Sequence, residues 1–337
     1  MKMKVSVIGC GNIAATHVNA LSKLNNIQLV AFVDTDFEKA EKMASEYMAE
    51  AYSDYRKMLD EIKPDSVHIC TPHYLHKEMS LACLSKNINV ICEKPCVILP
   101  EELPELIKAQ NESDAVYGVC LQNRYNDSVK QAIKVIRAQD LGRIIGIKGN
   151  VLWKRDIKYY SDSWHGKLKL EGGGTLINQA IHTLDLMSYI VGKEPEYVTG
   201  HIFNDNFRGL IETEDTVGAR LDYGDGLIGI LNATTGFSTD ANAEITVYME
   251  KGEILISALD AYLKDEEGNI KKISSVQNEE IIGKAYWGSG HISLIRDFYS
   301  SIEEGEKFSI DAYEAAKVMK VIWSIYESSK SGETIKI

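Results

Sequence analysis

The segment Gly9-Cys10-Gly11-Asn12-Ile13-Ala14 constrains the fold more than any other stretch of the chain. It lies between a short apolar run, Lys4–Ile8, and a stretch with helical spacing, Asn12–Lys23. Glycine at the first position permits a tight turn, Gly11 lets a phosphate approach the backbone, and Ala14 lets helix and strand pack closely. A helix opening there offers free N–H groups and a partial positive charge to a pyrophosphate. Asp34 closes the next apolar run, at a distance from Gly11 that suits a ribose-binding acid. A carboxylate there accepts from both ribose hydroxyls and repels a 2′-phosphate. NAD is therefore expected in preference to NADP, with Gly9, Gly11, Asn12, Ile13 and Asp34 as candidate contacts. A bare glycine turn beside an ordinary surface acid is the competing reading.

Further apolar runs, Gln28–Val33, Ser66–Cys70, Asn89–Cys92 and Ala115–Leu121, alternate with helix-like stretches at Asp36–Met48, Tyr74–Ser85 and Pro100–Gln110. Such alternation predicts βαβ units and a parallel sheet. After about residue 123 the pattern changes. A helix-like stretch, Ser128–Ala138, precedes longer alternating segments at Ile144–Trp153, Tyr197–Phe203, Thr216–Tyr223, Leu227–Thr234 and Glu244–Glu250, which read as antiparallel strands. The turn signal Tyr223-Gly224-Asp225-Gly226 joins two of them. Helices are expected at Leu176–Val191, with Asn178 and His182 on one face, and at His291–Glu304 and Ala312–Ser329. The expected fold is α/β, with a doubly wound domain over 1–122 and an α+β domain with a large, mainly antiparallel sheet over 123–337. One uncovered sheet face would favour a homodimer or homotetramer.

A chain of 337 residues is too long for a single core and suits two domains. Its net charge of -12 argues against nucleic acid or anionic membrane as a partner. No segment approaches the ~20 apolar residues of a membrane span, and the N-terminal run lacks the apolar core of a signal peptide. A cytoplasmic location is expected. The six cysteines form no C-x-x-C pair and read as reduced, buried thiols, and no metal site is expected.

Two constellations carry chemistry. Glu93-Lys94-Pro95 follows the fourth apolar run. Ligands of a doubly wound sheet bind beyond the carboxyl ends of its strands, which puts Lys94 at the cofactor. The Lys94–Pro95 bond is a candidate for the cis form. The second constellation runs from Gly172 to Asp185. Helical spacing puts Asn178 and His182 on one face with Asp185 a turn further on, and the three glycines permit close approach of a ligand or a neighbouring chain. Trp153, Arg155, Tyr159, Tyr160, Trp164 and His165 cluster just before it. They read as a sugar-binding surface or as a packed loop, and Arg155 suits a carboxylate or phosphate. Cys96 has no mark of a nucleophile. His291 reads as a pocket residue or a helix cap.

In order along the chain, Gly9–Ala14, Asp34, Thr71-Pro72 with His76, Glu93-Lys94-Pro95, Asn123-Arg124-Tyr125, Gly172–Asp185 and Tyr326-Glu327-Ser328 resemble the glucose–fructose oxidoreductase / inositol dehydrogenase / MocA family over nearly the whole chain. The resemblance implies a Rossmann domain and NAD(P)-dependent oxidation of a secondary alcohol on a sugar, sugar derivative or cyclitol. It implies that Lys94 and His182 serve that alcohol. It adds Thr71, Pro72, His73, His76, Glu93, Lys94 and Gln122 as cofactor contacts. It adds Lys94, Arg124, Arg155, Tyr160, Trp164, His165, Asn178, Gln179 and His182 as substrate contacts. Many members carry Asp where this chain has Asn178. The exchange removes a negative charge that would hold a proton on Lys94, so the alcohol proton is expected to pass to His182 or to neutral Lys94, with Asn178 orienting the hydroxyl. The Asn178-Gln179 pair is similar to a nucleotide-sugar 3-dehydrogenase branch and points to a pyranose C3. His73 and His165 replace the Asn and Arg of many relatives. Two alternatives share the fold: a glycoside-cleaving enzyme that recycles NAD through C3 oxidation and elimination, and a non-catalytic sugar sensor.

Overall fold

The computed structural model describes residues 2–161, 164–274 and 290–337. The chain divides into two compact units, Met1–Cys120 with His291–Ala316, and Leu121–Gly290 with Lys317–Ile337. Among the described residues no helix is long and apolar enough to cross a membrane.

The first unit holds β1 (Met3–Ile8), β2 (Ile27–Val33), β3 (Glu50–Tyr52), β4 (Ser66–Ile69), β5 (Asn89–Cys92) and β6 (Tyr117–Val119). They pair in parallel in the order β3-β2-β1-β4-β5-β6. Helices α1 (Asn12–Ser22), α2 (Phe37–Tyr47), α3 (Tyr55–Ile62), α4 (His76–Leu84) and α5 (Leu103–Glu112) connect them. Val5, Val7, Val67 and Ile69 are wholly buried, as expected for strands covered on both faces. The strand order reverses between β1 and β4, and the glycine turn emerges at that reversal, the ligand position of this topology. Asp36 holds the expected cap position of α2, but its carboxylate pairs with Lys39 Nζ at 3.2 Å and makes no side-chain cap. The stretch expected to be one helix from Tyr74 begins with a 3-10 turn, His73–Leu75, that runs into α4.

Among the described residues the second unit holds nine strands: β7 (Ile144–Leu152), β8 (Tyr197–Phe203), β9 (Thr216–Asp222), β10 (Ile228–Thr234), β11 (Glu244–Met249), β12 (Gly252–Ser257), β13 (Asp260–Asp265), β14 (Ile270–Lys272) and β15 (Ile335–Lys336). Their order is β14-β13-β12-β11-β7-β10-β9-β8-β15. Among these strands only β7 and β10 pair in parallel. Helices α6 (Asp127–Arg137), α7 (Leu168–Glu171) and α8 (Ile181–Val191) belong to this unit. The expected hairpin forms at Gly224, Asp225 and Gly226, all with positive φ, and joins β9 to β10. Leu221, Gly229, Ile147 and Val247 lie in register on one sheet face. A Cβ at Gly149, on that same face, would stand 2.7 Å from both Met187 and Thr183, so the missing side chain lets α8 lie against the sheet. On the opposite face Ile230 is 40% exposed.

Helix α9 (Gly290–Glu304) and the first turn of α10 (Ala312–Ser331) change the linear picture. His291–Ala316 belongs to the first unit, where a single boundary after residue 122 would leave it out. Strand β6 shows why. A Cβ at Gly118 would stand 2.7 Å from Phe308 and 3.0 Å from Phe298, and Val119 N donates to Ile310 O at 2.9 Å. The end strand of the parallel sheet thus takes its cover from chain that returns late in the sequence. We expect Phe298→Ala to cost about 3–5 kcal/mol, measured by chemical denaturation, because it empties a fully buried aromatic position.

Candidate active site

In the first unit, the glycine turn, Asp34, Thr71 and Glu93 all stand just past the carboxyl ends of strands, on one edge of the sheet. Gly9 has φ +90, and a Cβ there would lie 2.6 Å from Cys70 O. No L side chain fits that approach without strain. Gly11 caps α1 without a side-chain hydrogen bond, and nothing lies within 4 Å of where its Cβ would be. The start of α1 therefore has room beside Gly11 for the close approach that a pyrophosphate requires. Asp34 is held beside the turn: its carboxylate accepts from Cys10 N at 2.8 Å and Asp36 N at 2.9 Å. These residues fit a dinucleotide.

The Lys94–Pro95 bond is cis. His76 joins its turn to the end of β4. Nδ1 of His76 lies 2.7 Å from Pro95 O and Nε2 lies 2.8 Å from Thr71 O. Both partners only accept, so the ring satisfies both only as an imidazolium, while burial pushes its pKa down. Thr71 and Pro95 are thereby tied to one buried ring. His73 is also buried. All six cysteines are buried, and burial raises the Cys96 thiol to about 12. That leaves it a poor nucleophile at neutral pH.

Glu93 was expected to contact the cofactor. Its carboxylate instead faces inward, 2.9 Å from His17 Nε2 and 3.7 Å from His291 Nε2. Burial acts to raise its pKa, but the contacts with these two histidines hold it well below the usual carboxylate range. His291 is accordingly a buried neighbour of Glu93.

In the second unit, the stretch expected as one helix from Leu176 is a π-helical segment, Thr175–Ala180, followed by α8. The wider turn breaks the regular 3.6 period on which the shared face of Asn178 and His182 rested. The two side chains have different neighbours. Asn178 Nδ2 donates to Glu171 Oε1 at 2.7 Å, while Gln122 Nε2 stands 3.4 Å from His182 Nε2. Gln179 Nε2 donates to Tyr159 Oη at 2.7 Å.

The triple glycine accommodates protein. A Cβ at Gly173 would stand 2.1 Å from Tyr326 Oη, and one at Gly174 would stand 2.1 Å from Glu214 O. Glu214 is buried. It accepts from Gly174 N at 2.9 Å, Leu176 N at 2.8 Å and Tyr326 Oη at 3.0 Å, and so ties down the opening of the π segment. Glu171 Oε2 accepts from Gly166 N at 2.6 Å. Sequence reading missed Glu171 and Glu214, because a lone Glu in a loop carries no local signal of burial.

The aromatic cluster forms within this unit. His165 lies 3.8 Å from the Trp164 ring and 4.5 Å from that of Tyr159, centroid to centroid. Tyr160 Oη lies 2.9 Å from Thr235 Oγ1. Arg155 is buried, donates to Asp240 Oδ1 at 3.0 Å and to Lys154 O at 2.9 Å, and sits over the rings of Trp153 and Tyr159. Arg124 forms a two-point pair with Asp185, Nε to Oδ2 at 2.8 Å and Nη2 to Oδ1 at 2.5 Å. Both arginines expected as substrate contacts therefore already hold carboxylates.

Comparison with known proteins agrees with this geometry. Residues 3–121 match the family described as "Oxidoreductase family, NAD-binding Rossmann fold", and residues 129–255 match the "GFO/IDH/MocA C-terminal domain". The chain belongs to the Gfo/Idh/MocA family of oxidoreductases. The D-glucoside 3-dehydrogenase of Escherichia coli is 22% identical over 99% of this chain and 97% of its own length. The myo-inositol 2-dehydrogenase of Thermotoga maritima is 23% identical over 99% and 98%. Among solved structures, the WlbA dehydrogenase from Bordetella pertussis, in complex with NADH and UDP-GlcNAcA, has a TM-score of 0.86 at 25% identity, covering 100% of this chain and 99% of that one. A levoglucosan dehydrogenase in complex with NADH has a TM-score of 0.90 at 21% identity, covering 100% and 99%.

Within this family member the Arg124–Asp185 pair is structural, with side chains 8% and 3% exposed. Asp185→Asn leaves the guanidinium buried without its counter-charge. We expect a loss of about 3–5 kcal/mol in a denaturation experiment.

Proposed function

We propose that this protein is an NAD-dependent dehydrogenase that oxidises a secondary alcohol of an uncharged sugar, glycoside or cyclitol, with a pyranose C3 as the favoured position. The observation that carries the reading is Lys94. It sits on a buried, tightly held turn just past β5, on the same sheet edge as the glycine turn and Asp34. When bound, NAD supplies the hydride acceptor. The glycine turn and the open amides of α1 bind its phosphates, and Asp34 binds its ribose. The alcohol proton is taken by His182 or by neutral Lys94. In the neutral ring with Nε2 bare, the His182 nitrogen beside Gln122 would accept the alcohol proton. Asn178 and Gln179, steadied by Glu171 and Tyr159, orient the hydroxyls.

Charge supports a neutral substrate. The Arg155 guanidinium is already matched by Asp240, and Arg124 by Asp185. The nearest charged partner of Asn178 is the buried carboxylate of Glu171, which would repel an anion. The position rests on kinship with the glucoside 3-dehydrogenase, whose printed name specifies that carbon.

Two measurements test this. Lys94→Met should lower turnover by about 10²–10⁴-fold, the span of a lost proton-transfer group, and leave NAD affinity within a few-fold. Survival of turnover would remove Lys94 from the chemistry. In a screen read by NADH accumulation, alkyl glucosides, anhydrosugars and cyclitols should be oxidised with higher kcat/KM than sugar phosphates or uronic acids. The reverse order would sink the uncharged-substrate reading. Release of free sugar without NADH would replace net oxidation by bond cleavage.

A further inference from the structure

Beneath the Glu93-Lys94-Pro95 turn lies a chain of buried titratable groups for which the mechanism above has no use. His17 comes from α1, His68 from β4, and His291 and Tyr299 from α9. All four are buried. His17 Nε2 stands 2.9 Å from Glu93 Oε1, and His17 Nδ1 stands 2.7 Å from His68 Nδ1. His68 Nε2 stands 2.9 Å from Tyr299 Oη, which lies 3.3 Å from Ser66 Oγ.

Hydrogen-bond arithmetic limits the protons in this chain. An ionised carboxylate only accepts, so His17 Nε2 carries a proton. Two ring nitrogens at 2.7 Å need one proton between them, because two lone pairs or two N–H groups would repel. If that proton belongs to His68, His17 is neutral. If it belongs to His17, His17 is an imidazolium and His68 is a neutral acceptor. Either arrangement uses every polar atom along the chain: in the second, His68 Nε2–H donates to Tyr299 and Tyr299 to Ser66, and in the first the two hydroxyls donate the other way.

The surroundings decide between the two. The ionisable groups facing His17 are Glu93 past β5, His68 of β4, Cys120 past β6 with Sγ at 3.9 Å, and His291 of α9. Among the described residues Glu93 supplies the negative charge facing His17. Burial drives His68 and His291 toward their neutral forms and keeps the Cys120 thiol protonated. A buried carboxylate left without a cation is costly. His17, Glu93 and Cys120 also place ligand-type atoms within 4.8 Å of one another. Both His17 nitrogens are already engaged by Glu93 and His68, however.

We propose that His17 carries the charge as an imidazolium, and that the buried His17–Glu93 ion pair is a positioning device that fixes the Glu93-Lys94-Pro95 turn to helix α1. The turn that presents Lys94 and the helix that opens on the cofactor are then held by one charged contact. Glu93 closes the arrangement by accepting from Lys94 N at 3.3 Å. The charge assignment is independent of the sugar dehydrogenase reading. Only the kinetic consequence rests on it.

Histidine-selective ¹⁵N labelling tests the charge directly, since the chain has eight histidines and His17→Gln assigns the resonance. In the wild-type protein both His17 nitrogens should be protonated at neutral pH. Glu93→Gln should abolish that state. A wild-type His17 with one bare nitrogen at neutral pH overturns the proposal. For the positioning role, His17→Gln and Glu93→Gln should each lower kcat by about tenfold or more with KM for NAD within about threefold. The double variant should be no worse than the poorer single, as expected of two partners in one interaction. Losses that multiply would refute the pairing. Should no sugar turn over at all while His17 shows both protons, the dehydrogenase reading fails and the ion pair stands.

Discussion

A parallel sheet gathers the carboxyl ends of all its strands on one edge, and the first unit depends on that constraint. Because β1 and β4 are neighbours whose connections run to opposite sides, the loops after them part and leave a crevice. Gly9 makes the crevice possible. Its backbone comes so close to Cys70 that no side chain can stand between them. Asp34, Thr71 and Lys94 then reach the same edge merely by following β2, β4 and β5.

Buried glutamates do a second, less visible task. Glu93 accepts from Lys94 N, Glu171 from Gly166 N, and Glu214 from Gly174 N and Leu176 N. Each takes up backbone N–H groups of a turn that cannot find partners in a strand or helix. Unpaired amides there would cost about 1–3 kcal/mol apiece. Carboxylates also bring charge into the interior. That charge is matched at Glu93 by His17, and at Glu214 burial raises the carboxyl's pKa despite three donors. The turns that carry the chemistry are thus rigid through electrostatics as much as through packing.

The same accounting redirects several residues that look functional in sequence. Arg124 and Arg155 resemble anion-binding groups, yet each holds an aspartate of its own unit. The glycines before Asn178 accommodate Tyr326 and Glu214. Asn178 itself is anchored to Glu171. Gln179 donates to Tyr159, and the His165 ring lies against Tyr159 and Trp164.

The amino-acid sequence by itself determined that the first strands form a parallel sheet, and it determined the glycine turn, Asp34 and the Glu93-Lys94-Pro95 turn, since each is a local pattern with a local physical cause. It also determined β7 to β11, whose alternating side chains mark one buried face. Short strands such as β3 and β14 were not legible, because three residues carry no measurable period. Only the tertiary structure decided that His291–Ala316 returns to the first unit, that a π segment replaces the first turns of the expected helix, and that His17, His68 and Glu93 meet in the interior. Those outcomes depend on which distant groups remain unsatisfied after the local elements have formed. A histidine between apolar residues, as in Thr16-His17-Val18, says that something polar must meet it, and only packing says what.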